Sequence, residues 1–115
     1  MAHAPQPGDV VPDDVLQELT DDIETGRCVI PRPVFVTAVA YARRYLNMAN
    51  PSDFELWDYI VDRLQITGRW QYAQLDEYYP YPALGYALHR ADGRRLYIKL
   101  RYNDQSRVEL MSFHD

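Results

Sequence analysis

Hydrophobic positions recur at two different periods along this chain, and the change falls near Gly68. Before it, apolar residues return every three or four positions. Val15, Leu16, Leu19 and Ile23 follow Pro12 and an acidic start, which predicts a first helix from about Asp14 to Thr25, stopped by Gly26. Arg27 to Pro31 reads as a short extended connector, because a proline disfavours helix in the residue before it. Val34 to Leu46 presents Phe35, Val39, Ala42 and Leu46 on one side, with Pro33 suited to a first turn and Arg43 and Arg44 near the C-terminal end of the dipole. Asn50-Pro51-Ser52 breaks the chain. Ser52 and Glu55 then form a capping-box pair at the head of the clearest helix, which carries Leu56, Tyr59, Ile60 and Leu64.

After Gly68 the period becomes two. Arg69 to Leu75 reads as strand, or as a turn leading into one. Asp76 to Pro82 holds Tyr78, Tyr79 and Tyr81 among prolines and reads as a loop or irregular edge. Leu84–Arg90 and Arg95–Tyr102 read as strands joined through Asp92-Gly93, a strong hairpin signal. Asn103-Asp104 begins a turn, and Arg107–Phe113 is the last strand. Helices first and a meander afterwards predict an α+β fold, with N-terminal helices packed on a C-terminal antiparallel β-sheet. The expected layout is a flexible segment over residues 1–12 and a single domain over residues 13–115.

Composition narrows the class. The 115 residues are 47% hydrophobic, enough for a core without disulfide or metal staples. Cys28 is the lone cysteine, which excludes an intrachain disulfide and suits a reducing, cytoplasmic setting. The start lacks the charged and apolar regions of a signal peptide, and no apolar run is long enough for a membrane span. The net charge of −5 is unevenly placed: residues 1–26 hold seven acids and no Lys or Arg, whereas residues 69–115 hold seven Lys or Arg and six acids. An acidic total argues against broad nucleic-acid binding but leaves room for a local basic face.

The candidate chemistry lies on Arg95–Arg101. Alternation puts Leu96, Ile98 and Leu100 on one face and Arg95, Tyr97, Lys99 and Arg101 on the other. Such alternation also describes the solvated side of any half-buried sheet. Read as function, it is a phosphate-binding face, with cations for oxygens and a tyrosine able to stack a base or pass a proton. His114 ends the last strand, and imidazole suits acid–base work, although a terminal histidine is also simply exposed. Seven of the ten tyrosines fall after Gly68, and those of the Tyr78–Pro82 loop are candidates for recognition. There is no phosphate-binding loop, no dinucleotide fingerprint, no nucleophile elbow and no metal-ligand spacing, so no cofactor and no metal are expected.

Three stretches carry a family likeness: Leu75-Asp76-Glu77-Tyr78-Tyr79-Pro80, Arg95-Leu96-Tyr97-Ile98-Lys99-Leu100 and Leu110-Met111-Ser112-Phe113-His114. Together they resemble the MqsR-type mRNA interferases, toxins of type II toxin–antitoxin systems in the RelE-like group. The resemblance is loose over residues 14–115 and has identifiable motifs over residues 75–114. It implies a RelE-like fold and metal-independent RNA cleavage, in which a 2′-hydroxyl attacks the adjacent phosphate. Tyr97 matches the family's sheet tyrosine, His114 stands where the family often has lysine, and Lys99 or Arg101 would stabilise the phosphate. Arg69 would fill a basic position between the last helix and the sheet. Leu75 stands where the family carries a functional glutamine, with Gln74 beside it.

The resulting expectation names Tyr97, His114 and Lys99 as catalytic, and Arg69, Arg95, Arg101, Tyr79 and Tyr81 as RNA-binding. RNA, on or off the ribosome, and an antitoxin protein are the implied partners. The competing reading is a non-catalytic interaction module that uses the acidic first helix and the Tyr/Pro loop as anchors. A homodimer through strand edges or the Tyr loop is a further arrangement the sequence allows.

Overall fold

The computed structural model describes residues 6–66, 69–73, 84–89 (as backbone) and 95–114. The elements run α1 (Asp13–Glu24), β1 (Cys28–Val29), α2 (Arg32–Tyr45), α3 (Asp53–Leu64), β2 (Trp70–Tyr72), β3 (Leu84–His89), β4 (Arg95–Tyr102) and β5 (Val108–His114). Helices occupy the first part and a sheet the second, so the α+β expectation holds. Among the described residues no helix is long and apolar enough to cross a membrane.

Each helix begins where local chemistry allows it. Asp13 and Asp14 sit in the first turn of α1, where the dipole favours anions. Pro31 and Pro33 flank the start of α2, where a missing N–H costs nothing. The capping box of α3 is formed: Glu55 N donates to Ser52 Oγ at 3.3 Å, and Ser52 N donates to Glu55 Oε1 at 3.5 Å. α2 ends at Tyr45 with Leu46 as its C-cap, followed by Asn47 at φ 58, a left-handed conformation that asparagine tolerates better than most residues.

The sheet order is β1-β5-β4-β3-β2. From β2 to β5 every neighbour is antiparallel and consecutive, as a meander requires. The Asp92-Gly93 turn lies outside the described residues, yet the strands that flank it pair from His89↔Arg95 onward. The sheet is not purely antiparallel, however. The connector after α1 becomes β1 and pairs parallel to β5, with Cys28 opposite Val108 and Val29 opposite Glu109. Val108 N donates to Arg27 O at 2.9 Å, so this edge satisfies backbone groups that an isolated connector would leave to water.

The start of the chain departs further from expectation. Residues 8–11 are not a free tail. Gln6 to Asp9 form a turn with Gly8 at φ 90, after which Val11 N donates to Trp70 O at 2.9 Å and Tyr72 N donates to Asp9 O at 2.9 Å. The segment thereby covers the outer edge of β2. Val11 is anchored in the core, and that burial holds the strap in place.

The core lies between the helices and one sheet face. Leu96, Ile98 and Leu100 of β4 and Val108, Leu110 and Phe113 of β5 are all fully buried, with Leu19, Leu56 and Ile60 from the helices. Phe113 packs at steep interplanar angles against Tyr41 and Tyr59, each with centroids 5.9 Å away. Trp70 is buried below α3, where its indole N–H donates to Arg63 O at 2.9 Å.

Candidate functional site

The second face of the sheet points away from these helices. Alternation in β4 is as the sequence pattern requires: Leu96, Ile98 and Leu100 are buried, and Tyr97 and Lys99 between them, with Arg101 after them, are part-exposed. Arg95 is exposed at the strand's start, and its carbonyl accepts from the Tyr41 hydroxyl at 2.9 Å.

β5 supplies the other half of the site through an irregularity. Leu100 pairs with Leu110, and Lys99 pairs with Ser112, so Met111 is an extra residue and the ladder bulges. The bulge resets the alternation. Val108 and Leu110 face the core before it, Phe113 faces the core after it, and His114 comes out beside Tyr97. Tyr97 and His114 are registered opposite one another, with ring centroids 6.4 Å apart and planes inclined at 53°. Lys99 and Ser112 form the next pair on the same face. Burial raises the Tyr97 phenol above its ordinary value, which favours its neutral form.

The expected cations do not all have one environment. Lys99 has no ion-pair partner among the described residues. Arg101 is engaged: its Nη2 and Nε donate to Glu109 Oε2 at 2.9 and 3.2 Å, and its side chain is only 12% exposed. Arg69 is exposed one residue ahead of the Trp70↔Tyr86 pair, on the side of that pair where Ala87 and Tyr97 lie. Tyr79 and Tyr81 lie outside the described residues.

A cleft of about 360 Å³ opens at the far end of the face, lined by Val29, Arg101, Asn103, Arg107 and Glu109 among others. Neither Tyr97 nor His114 lines it. The turn beside it is built by Asn103, whose Oδ1 accepts from Gln105 N at 2.9 Å and Arg107 N at 3.1 Å. No group of three or more metal-ligating side chains exists among the described residues.

Sequence reasoning missed Ser112, Glu109 and the bulge. The signal for the bulge was present: Val108, Leu110, Met111 and Phe113 break strict alternation at one place. Glu109 as a partner of Arg101 had no local signal, because the two are joined only by strand register.

Comparison of the chain with known protein families, with curated proteins and with solved structures returned no match.

Proposed function

We propose that this protein is an endoribonuclease of the mRNA-interferase type, cleaving RNA by attack of a 2′-hydroxyl on the neighbouring phosphate. The observation that supports this reading is the Tyr97–His114 pair on the helix-free face, with Lys99 one pair further along. In the proposed reaction His114 takes the proton of the 2′-hydroxyl. The oxygen bonds to phosphorus, and Lys99 offsets the negative charge gathered on the phosphoryl oxygens. Tyr97 donates its phenolic proton to the departing 5′-oxygen, leaving a 2′,3′-cyclic phosphate and a 5′-hydroxyl. Arg69 and Arg95 are the proposed contacts for flanking phosphates, and an antitoxin that covers this face is the proposed regulator.

A second reading is a non-catalytic interaction module. The Arg101–Glu109 ion pair favours it, since a neutralised cation is a poor phosphate ligand. Induced expression of the wild type beside a Tyr97→Phe/His114→Ala variant separates the two. Growth arrest with new RNA ends, abolished in the double variant, is the expected result. Normal growth and intact RNA, with folded wild-type protein abundant, would reject the nuclease and leave the interaction module.

A further inference from the structure

Charge is segregated between the exposed faces of two helices. α2 carries Arg32, Arg43 and Arg44 and no acid, whereas α3 carries Asp53, Glu55, Asp58 and Asp62. The one base of α3, Arg63, is half-buried with its guanidinium 5.0 Å from the Tyr59 ring centre. On α2 the residues Arg32, Val36, Ala40 and Arg43 are all exposed and recur at helical spacing, which makes a basic stripe with an apolar middle. On α3 the exposed residues Phe54, Asp58 and Asp62, with the C-cap Gln65, make an acidic stripe headed by an aromatic ring.

The exposed apolar side chains mark the same two surfaces. Among the described residues the large exposed hydrophobics are Val10, Val36 at 59% and Phe54 at 73%. Two of these three stand inside the two oppositely charged stripes. Arg32, Arg43, Asp58 and Asp62 have no ion-pair partner within the chain among the described residues. Each stripe is about 17 Å long, so the two are matched in length and opposite in charge.

We infer that the α2 stripe of one copy docks against the α3 stripe of a second copy, so that the protein self-associates. Val36 and Phe54 supply the water-excluding contact, and the flanking Arg and Asp residues steer and register it. This interface does not use the sheet face or the β2 edge, which residues 8–11 already occupy. It is independent of whether the protein cleaves RNA.

Charge reversal with rescue tests the inference on the full chain. Three samples are sedimented over a concentration series at low salt: wild type, Arg32→Glu/Arg43→Glu and Asp58→Lys/Asp62→Lys. Wild type is expected to gain mass with concentration, and to lose association about tenfold or more when salt is raised. Each variant is expected to stay monomeric, and their equimolar mixture to associate again, because both contacts then pair opposite charges. Phe54→Ser, which alters no charge, is expected to weaken association of an otherwise wild-type chain. If a charge variant fails to fold by circular dichroism, the salt series and Phe54→Ser decide the question. A wild type that remains monomeric throughout overturns the inference, as do variants that associate like wild type or a mixture that does not recover. Binding of a single-stranded RNA oligonucleotide that needs Arg32 and Arg43, in a chain that does not self-associate, would assign the basic stripe to RNA instead.

Discussion

His114 stands opposite Tyr97 on the open face because Met111, one residue too many for a regular ladder, is absorbed in a bulge between them and Leu110. Without the bulge a seven-residue strand that begins with Val108 facing inward would turn Phe113 outward and His114 into the core. The fold therefore spends a local irregularity to satisfy two demands, burial of a phenyl ring and exposure of an imidazole.

Deleting Met111 is therefore expected to be tolerated. The shortened strand keeps Leu100↔Leu110, Lys99↔Ser112 and Tyr97↔His114 in a regular ladder. A cooperative thermal transition is expected, and any RNA cleavage of the kind proposed above should be retained. A chain that fails to fold would show that the twist the bulge introduces is itself required.

Glu109→Gln is expected to remove the carboxylate charge that offsets Arg101. On the proposed nuclease reading, RNA binding should then tighten several-fold at low salt, and the slope of log affinity against log salt should steepen by about one. Fluorescence titration with a labelled, non-cleavable oligonucleotide measures both. An unchanged slope would remove Arg101 from the phosphate-binding set.

Tyr102 links the sheet to α1 by donating its hydroxyl proton to Asp22 Oδ2. Burial, then the hydrogen bond and the charge of Asp22, push this phenol well above its ordinary value. A raised phenol means that folding favours the neutral form. Its contribution is present in full below the unfolded tyrosine pKa of about 10 and is lost as pH rises beyond it. Urea unfolding from pH 8 to pH 12 should show falling stability above about pH 10. Tyr102→Phe should lower stability at pH 8 and flatten that decline.

Phe113→Ala removes the ring that Tyr41 and Tyr59 pack against and is expected to cost about 3–5 kcal/mol. Ser52→Ala removes one half of the α3 capping box and is expected to cost about 1 kcal/mol. Denaturant titration of each variant gives the comparison. A cost for Ser52→Ala as large as that for Phe113→Ala would mean that the helix start, rather than the buried face, limits stability.

Local physics was legible in the chain before any coordinates. The helix starts near Asp14 and at Ser52, the inward and outward alternation of Arg95–Arg101, and the meander order follow from residue chemistry and hydrophobic period, which act over a few neighbouring positions. The tertiary structure decided what neighbouring positions cannot specify. Register across strands brought His114 to Tyr97 and tied Arg101 to Glu109. Recruitment of Cys28–Val29 as a parallel edge, and of residues 8–11 as a cover for β2, depended on unpaired backbone groups presented by strands some 60 or more residues away in sequence. Backbone hydrogen bonding carries almost no side-chain signature, so a two-residue strand and a strap behind a Pro-Gly turn look like connector and tail until the sheet they complete exists.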